Sequence, residues 1–463
     1  MFLPLSQCKL KGMKFSQHIF KAYDIRGLAG KELTEELFYR IGRAAVVYAG
    51  AKKVFVGGDM RNSTERLKNA LMAGLTDQGA NVVDIGLIST PLLNIMTIRD
   101  SEADLGIMIT ASHNPAEYNG CKFVYKRTMM PIGLDSGLNQ IRDMAEKYTF
   151  ADAIEKGTVE KRDLKTKHAE FVLSLVDIEK IKPLKIVIDL GNGIEGVLID
   201  GFMEQLPVDV EYLFKEPDGN FPNHEANPLK YETLRALQKM VVEIGADMGF
   251  AFDADGDRVG LVDENGEIVS GDKIIALLAP EMLKKFPEAV VIYDVKCSRS
   301  VAEVVSAKGG RPVESRVGRT LIIQEMRKTD AAFGGELSGH FYYKDLFGFE
   351  SGDLTLLFIL KLVSETGKKV SELVRQFNHY YHSGEINFET ERKDEIIAKF
   401  EKKYASGAKK ISKMDGIKIE FADWWFNVRK SNTEPLLRLV LEADTEEKMK
   451  EKIKEISDII IGT

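Results

Sequence analysis

Cysteine is scarce in this 463-residue chain, and an excess of positive charge is missing. The three cysteines, Cys8, Cys121 and Cys297, indicate no disulfide framework, so we expect free thiols in a reducing, cytoplasmic compartment. A formal net charge of −7 argues against a nucleic-acid-binding or anionic-membrane surface. An anionic ligand would therefore need a local cluster of Arg and Lys.

Long apolar segments are also missing. No run of residues is long enough to span a bilayer, and the first residues lack the apolar stretch of a signal peptide, so we predict neither membrane insertion nor secretion. Hydrophobic residues make up 44% and charged residues 29%, which is typical of a globular protein with several domains. The oligomeric state stays open.

A strand–turn–helix–strand pattern occurs three times. The strand-like segments are 54–56 and 81–85, 185–188 and 208–212, then 289–293 and 311–314. Between the first pair, Leu67, Ala70, Leu71 and Leu75 share one face of a predicted helix that Ser63 would cap. The pattern predicts α/β layers with largely parallel strands. From residue 380 onward, strands at 417–421 and 437–441 precede a helix capped by Asp444, with one apolar stripe of Met449, Ile453, Ile456 and Ile460, which predicts an α+β domain.

Three aspartates at alternate positions follow the apolar segment 248–252. In extended backbone Asp253, Asp255 and Asp257 point the same way, and three converging carboxylates repel one another unless a cation neutralises them. Oxygen ligands of this kind suit Mg²⁺.

Two other motifs have aspartates at a similar spacing. An EF-hand requires Gly where this chain has Arg258, and the flanking segments resemble a β-hairpin with a turn at 263–266. A haloacid-dehalogenase-like phosphotransferase, with Asp253 as an aspartyl-phosphate nucleophile, remains an alternative.

Three further polar clusters carry candidate chemistry. Ser112 follows the apolar run 105–109 in the loop Thr110-Ala-Ser-His-Asn-Pro115, where a serine is held in a defined turn and could carry a phosphoryl group. The glycine-rich segment with Glu336, Ser338 and His340 offers hydrogen-bonding groups for sugar hydroxyls. The segment from Arg429 to Pro435 suits a phosphate dianion.

In this order the clusters resemble the α-D-phosphohexomutase family, most closely its phosphomannomutase/phosphoglucomutase branch. The resemblance also covers Phe20–Gly27, Asp218–Asn223 and Asp294-Val-Lys296. It implies four domains around a cleft, the first three with a similar α/β topology and the fourth α+β, which we divide as follows: 1–163 with the phosphoserine loop, 164–267 with the metal loop, 268–379 with the sugar loop, and 380–463 with the phosphate loop.

The resemblance implies a reversible interconversion of hexose 1-phosphate and hexose 6-phosphate, with mannose and/or glucose as the sugar. Ser112 would carry the phosphoryl group beside Mg²⁺ held by Asp253, Asp255, Asp257 and Ser112. Arg258 and Lys122 would assist catalysis, and a glucose or mannose 1,6-bisphosphate would serve as activator. The remaining substrate-binding residues would be Tyr23, Arg26, Lys296, Glu336, Ser338, His340, Arg429, Ser431, Asn432 and Thr433.

Two departures from the family pattern bear on this interpretation. Ala254 replaces a glycine of the aspartate loop, and Arg319 stands where bacterial relatives often have histidine. Because arginine stays protonated, Arg319 is unsuited to acid–base exchange but could bind phosphate. A phosphoglucosamine mutase is a further alternative, although Glu336-Leu-Ser-Gly-His340 looks more like the mannose/glucose enzymes.

Overall fold

The structure is a computed structural model and describes residues 15–431 and 436–462. Its residues form two compact units. The first contains the described residues up to 178, together with 188–234 and 251–257, and the second contains residues 179–187, 235–250 and the described residues from 258 onward.

The first sheet has seven strands. They are β1 (Ile25–Leu28), β2 (Lys53–Gly58), β3 (Asn81–Leu87), β4 (Leu105–Ile109), β5 (Tyr118–Tyr125), β6 (Met130–Pro131) and β7 (Val159–Lys161), and the helices of this region are α1 (Glu35–Ala49), α2 (Thr64–Asp77), α3 (Thr90–Arg99), α4 (Leu138–Lys147) and α5 (Lys165–Leu173). The strand order is β1-β5-β4-β2-β3-β7, with β6 beside β5. The central strand β2 is parallel to β3 and β4, as the strand–helix–strand pattern predicted, whereas β5 is antiparallel to β4.

Helix α2 shows how the pattern of apolar residues produces this layer. Leu67, Leu71 and Leu75 are fully buried on the face that we predicted. Ser63 lies at the N-cap position, but the prediction that its side chain caps the helix is wrong. Its backbone is helical (φ −92°, ψ −10°) rather than extended, and its Oγ accepts a hydrogen bond from Asn119 Nδ2 instead.

The second sheet has five strands in the order β12-β11-β10-β8-β9. Its elements are β8 (Leu184–Asp189), β9 (Val208–Leu213), β10 (Met248–Phe252), β11 (Val259–Asp263), β12 (Ile268–Val269), α6 (Asp200–Met203) and α7 (Arg235–Ile244). Strands β11 and β12 form an antiparallel hairpin through the predicted turn at 263–266. Strand β10 delivers the chain to the three aspartates.

The third sheet has the order β14-β13-β15-β16. Its elements are β13 (Val290–Asp294), β14 (Arg311–Ser315), β15 (Phe333–Gly335), β16 (Phe341–Tyr343), α8 (Gly271–Lys285), α9 (Arg299–Ala307), α10 (Arg319–Thr329), α11 (Gly352–Thr366) and α12 (Val370–Arg375). Parallel pairing of β13 with β14 and β15 confirms the third α/β repeat. The Glu336 loop connects β15 to β16.

The fourth sheet is antiparallel in every recorded pairing, as expected for an α+β domain. Its elements are β17 (Tyr381–His382), β18 (Ile386–Glu389), β19 (Lys410–Ser412), β20 (Ile417–Glu420), β21 (Trp424–Lys430), β22 (Leu436–Ala443), α13 (Lys393–Tyr404) and α14 (Glu446–Ile461). Ile456 and Ile460 of α14 are buried, and Met449 and Ile453 pack against the same core, which confirms the apolar stripe. The predicted cap at Asp444 is wrong by one residue, because Thr445 accepts the hydrogen bond from Lys448 N.

Short 3₁₀ helices connect these elements at Gln17–Ile19, Leu134–Ser136, Ile178–Lys180, Ile194–Val197, Tyr231–Leu234, Lys344–Leu346 and Ala405–Gly407. Within residues 15–431 and 436–462, no helix combines the length and the apolar character needed to cross a membrane.

Candidate active site

The loop after β4 holds Ser112 in an unusual backbone conformation. Its φ is +51°, in the left-handed region, which costs a residue other than glycine roughly 1–3 kcal/mol. The residue is 1% exposed, and its backbone N–H donates to Thr110 Oγ1 at 2.9 Å. The surrounding contacts must therefore hold this conformation against the relaxed alternative.

Arg61, which the sequence analysis did not single out, supplies many of those contacts. The residue is 2% exposed, and its guanidinium donates to the Ser112 carbonyl at 2.6 Å and to the Asn114 carbonyl at 2.5 Å. It also donates to the carbonyls of Pro115 at 2.6 Å and Tyr118 at 3.0 Å. A sequence signal existed, since an arginine beside Asp59 at the end of a buried strand is poorly explained by a solvated turn.

The three aspartates converge as predicted, but through a turn and not through the extended backbone on which the prediction rested. Residues 254–257 form turns and bends, Gly256 has a φ of +72°, and its N–H donates to the Asp253 carbonyl at 3.1 Å. Asp253, Asp255 and Asp257 are 0–1% exposed, and each offers an oxygen within 4.8 Å of the others, so the group could hold a metal ion. Ser112 Oγ donates to Asp253 Oδ2 at 3.1 Å and lies 3.2 Å from His113 Nδ1. The structure therefore brings the serine hydroxyl directly to the carboxylate group.

Lys122 of β5 contacts the same group. Its ammonium donates to Asp255 Oδ2 and to Asp257 Oδ2, each at 2.6 Å, and Thr90 Oγ1 also donates to Asp255 Oδ2 at 2.5 Å. Asp255 Oδ1 is buried and has no hydrogen-bond partner among the described residues. An unpaired buried oxygen needs a ligand, and three carboxylates supply the oxygen donors that a divalent cation prefers, so the donor set fits such a cation.

Arg26 approaches the serine loop from β1. Its guanidinium donates to Asn114 Oδ1 at 2.8 Å and to Asp24 Oδ2 at 2.9 Å. Burial disfavours its charge, but Asp24, Asp255 and Asp257 outweigh that cost and raise the pKa of Arg26. Tyr23 is half-buried in the bend just before β1. These residues belong to the first unit, together with Ser112, Lys122 and the aspartates.

The second unit contains the Glu336 loop. Glu336 Oε2 accepts hydrogen bonds from His340 Nδ1 at 2.9 Å and from Tyr342 Oη at 2.6 Å. Burial opposes ionisation of Glu336, yet these hydrogen bonds, with the charge of Lys296, lower its pKa. Arg258 Nε donates to His340 Nε2 at 3.1 Å, so His340 carries its proton on Nδ1 and orients Glu336. Ser338 Oγ is 3.3 Å from the same Nδ1.

A cluster of cations surrounds Glu385, which the sequence analysis missed. Arg429 and Arg438 face each other across β21 and β22, and each donates to one carboxylate oxygen of Glu385 at 2.8 Å. Lys296 Nζ is 3.8 Å from the same carboxylate. Burial opposes ionisation of Glu385, but the three cations together lower its pKa. Its spacing in the sequence gave no indication of this contact, since 44 residues separate it from Arg429.

Arg429 retains binding capacity. The residue is 2% exposed, and its Nε has no hydrogen-bond partner within residues 15–431 and 436–462. Ser431 is half-buried just after β21. Asn432 and Thr433 lie outside the described residues. Arg319 is buried, and its Nε donates to Glu350 Oε1 at 2.5 Å, so a carboxylate rather than an open surface faces that guanidinium.

Comparison with known proteins identifies the chain. Four parts of it match, in order, the descriptions "Phosphoglucomutase/phosphomannomutase, alpha/beta/alpha domain I" (17–152), domain II (166–266), domain III (270–380) and the C-terminal domain (385–459). A phosphomannomutase of Methanocaldococcus jannaschii is 40% identical over 448 residues, covering 96% of this chain and 97% of the relative. The chain belongs to the phosphoglucomutase/phosphomannomutase family.

Other relatives agree with this assignment. A phosphomannomutase of Vibrio cholerae is 41% identical over 454 residues, covering 95% of this chain and 98% of the relative. The crystal structure of a phosphoglucomutase/phosphomannomutase family protein from Burkholderia thailandensis has a TM-score of 0.88 at 33% identity and covers 96% of this chain and 98% of its own. As a member of this family the chain is an enzyme, a phosphohexomutase of the isomerase class, with the four-domain fold of the family.

A more distant structure shares the fold alone. The N-acetylphosphoglucosamine mutase of Aspergillus fumigatus, solved in complex with GlcNAc-6P and magnesium, has a TM-score of 0.64 at 13% identity and covers 96% of this chain and 95% of its own.

Proposed function

We propose that this enzyme interconverts hexose 1-phosphate and hexose 6-phosphate, with mannose and/or glucose as the sugar, through phosphorylated Ser112 and a hexose 1,6-bisphosphate. The observation that carries the proposal is the Ser112 hydroxyl, held 3.1 Å from Asp253 within the aspartate group. Family membership also favours it over an aspartyl-phosphate mechanism at Asp253. We assign the four domains to residues 1–163, 164–267, 268–379 and 380–463.

The cycle has two transfers. In the first, the bond between phosphorus and Ser112 Oγ breaks as a free hydroxyl of the hexose phosphate forms a new bond to that phosphorus, which gives the bisphosphate. In the second, the phosphoryl group at the other end returns to Ser112. Glucose or mannose 1,6-bisphosphate would prime a dephosphorylated enzyme by this second step.

The residues around Ser112 supply positioning and charge, which is what phosphoryl transfer mainly requires. Asp253, Asp255 and Asp257, with the serine oxygen, would hold Mg²⁺, which when bound offsets negative charge on the transferred group. Lys122, in contact with Asp255 and Asp257, places an ammonium beside the same group. Arg258 would add a second cation. In each transfer the attacking hydroxyl loses a proton and the oxygen that leaves phosphorus gains one, at the sugar or at Ser112 Oγ.

The sugar must bind in two orientations, because each transfer presents a different end to Ser112. Glu336 and Ser338 would accept and donate hydrogen bonds to ring hydroxyls, with His340 fixing the carboxylate. The phosphate that is not being transferred would bind Arg429, whose Nε is buried without a partner in the described part of the chain, and Lys296. Ser431, Asn432 and Thr433 would complete this site, with Tyr23 and Arg26 lining the serine side.

Phosphosite mapping tests the proposal. The protein is incubated with glucose 1,6-bisphosphate and Mg²⁺, and half of the sample is treated with hydroxylamine. Both halves are then digested with a protease and analysed by mass spectrometry beside the Ser112→Ala variant. We expect acid-stable phosphate on Ser112 and loss of mutase activity in the variant by about four orders of magnitude or more, since a covalent carrier cannot be bypassed. Hydroxylamine-labile phosphate on Asp253 would instead establish the aspartyl-phosphate alternative. Parallel rates with mannose, glucose and glucosamine phosphates then define the substrate.

A further inference from the structure

We propose that Arg61 is a positioning residue that holds the main chain of Ser112 in the conformation needed for phosphoryl transfer. This inference rests on the proposed role of Ser112 as phosphoryl carrier. Arg61 does not touch the serine hydroxyl, so its contribution would pass through the backbone of the loop.

Every N–H group of the Arg61 side chain is used, and four of the five converge on one loop. The two terminal nitrogens donate to four backbone carbonyls between Ser112 and Tyr118, at 2.5–3.0 Å. The fifth, Nε–H, donates to Asp59 Oδ2 at 3.1 Å. Five donors in a planar fork are a property of arginine, whereas a lysine offers three donors from a single point.

The guanidinium is itself fixed on the end of β2. Asp59 Oδ1 accepts from Arg61 N at 3.1 Å and from Thr64 Oγ1 at 2.8 Å, and the backbone N–H of Asp59 donates to the Ile109 carbonyl at 3.0 Å. The Phe221 ring covers the guanidinium, with 5.1 Å between Arg61 Cζ and the ring centroid. The side chain that holds the serine loop therefore rests on a rigid strand end.

The conformation of Ser112 gives these bonds a catalytic consequence. A serine at φ +51° lies in a region that only surrounding contacts maintain. The shortest bonds of Arg61 to the loop include the one to the Ser112 carbonyl, which is part of the peptide unit that sets the direction of Oγ. Relaxation to negative φ would turn Oγ away from Asp253, and a misplacement of about 1 Å can cost roughly 100-fold in rate.

A second buried arginine in the same unit provides a matched control. Arg43 is 4% exposed and bonds to Gln78, Tyr39, Asp152 and the Ala151 carbonyl at 2.7–3.0 Å. Its side chain makes four hydrogen bonds against the five of Arg61, and its partners are remote in sequence from the Ser112 loop. An effect on stability alone should appear in both arginines, whereas an effect on the chemistry should appear only at Arg61.

The experiment compares Arg61→Lys, Arg61→Met, Arg43→Lys and Ser112→Ala in the full chain. Thermal midpoint and mutase kcat and KM at saturating glucose 1,6-bisphosphate are measured for each variant. For each variant that retains Ser112, we also measure the rate at which phosphorylated Ser112 transfers its phosphoryl group to a hexose monophosphate. We expect kcat to fall about 100-fold in Arg61→Met and less in Arg61→Lys, with KM nearly unchanged, because the loop geometry and not sugar binding is altered. Arg43→Lys should lower the midpoint and leave kcat as in the parent.

Two outcomes would overturn the inference. One is an Arg61→Met variant that is folded and keeps kcat within threefold of the parent while Ser112→Ala is inactive. The other is a loss of kcat in Arg61 variants that the fraction of unfolded protein fully accounts for, as in Arg43→Lys. Should Arg61→Met not fold, Asp59→Asn keeps the arginine and removes the carboxylate that pairs with its guanidinium. An unchanged kcat in Asp59→Asn would contradict the inference. Activity in Ser112→Ala would refute the proposed function itself, independently of Arg61.

Discussion

Replacing Asp255 by Asn should weaken the binding of Mg²⁺ and remove most of the stability that the bound ion provides. The substitution preserves shape and removes one of three carboxylates that are 0–1% exposed. Lys122 keeps its second ion pair, to Asp257 Oδ2 at 2.6 Å, so the local structure has a remaining anchor. The change should therefore affect metal binding more than folding in the absence of metal.

The burial of the site sets the magnitude. Removing one partner of a buried charge pair costs about 3–5 kcal/mol, and about 1.4 kcal/mol corresponds to tenfold in affinity, so magnesium affinity should fall at least 100-fold. At a magnesium concentration of 100 times the parent Kd, binding stabilises the folded parent by about 2.7 kcal/mol. A Kd raised 100-fold leaves about 0.4 kcal/mol at the same concentration. The expected difference is thus about 2.3 kcal/mol of magnesium-dependent stability.

Urea unfolding with added Mg²⁺ or with EDTA measures this increment, and isothermal titration calorimetry gives the affinity directly. Asp84→Asn is the matched control, because Asp84 is also buried and bonds a buried lysine, Lys68, at 3.1 Å in the same unit. It should lower stability equally with and without magnesium. If Asp255→Asn retains the full magnesium increment, the aspartate group is not the metal site and the reasoning fails.

Two further substitutions test the second unit. Glu385→Gln should destabilise the fourth domain by about 1.5–3 kcal/mol, because the partly exposed carboxylate that bonds both Arg429 and Arg438 is lost. It should also raise KM for the phosphosugar. Urea unfolding measures the first effect and steady-state kinetics the second. Burial of Glu455 opposes its ionisation, but hydrogen bonds from two lysines and a tyrosine lower its pKa from 4.5 to about 2. The ionised carboxylate therefore contributes fully to the free energy of unfolding above about pH 4.5, and this contribution is lost as the pH falls towards 2. Unfolding of Glu455→Gln, followed between pH 7 and pH 2.5, should therefore depend less on acid than that of the parent.

Each of these has a control and a contradicting result. For Glu385, Glu420→Gln alters a carboxylate of the same sheet that pairs with Lys410, and an equal rise of KM in both variants would argue against a specific effect. For Glu455, Glu446→Gln removes another carboxylate of α14 that pairs with an exposed lysine. A parent and a Glu455→Gln variant with parallel stability curves from pH 7 to pH 2.5 would contradict the assigned pKa.

The spacing of apolar residues along the chain was sufficient to predict the α/β layers and the faces by which their helices pack. The helix face with Leu67 and Leu75, the parallel repeats and the stripe along α14 follow from the spacing of apolar residues, and the structure confirms them. The convergence of Asp253, Asp255 and Asp257 was predicted correctly, but the reason was wrong. We expected alternation in an extended segment, whereas residues 254–257 form turns and bends, with Gly256 at a φ of +72°.

Contacts between distant segments were decided by the tertiary structure. Whether the side chains of Ser63 and Thr445 cap their helices depended on backbone angles and on competing hydrogen-bond partners, which the residue type alone does not reveal. Arg61 and Glu385 lack a motif of their own, because their importance comes from carbonyls and guanidiniums that lie 44 to 57 residues away in sequence. The sequence by itself thus determined the elements and the chemical groups, through short-range periodicity, whereas the tertiary structure alone decided which buried charges meet, because that depends on how separate strands and loops pack.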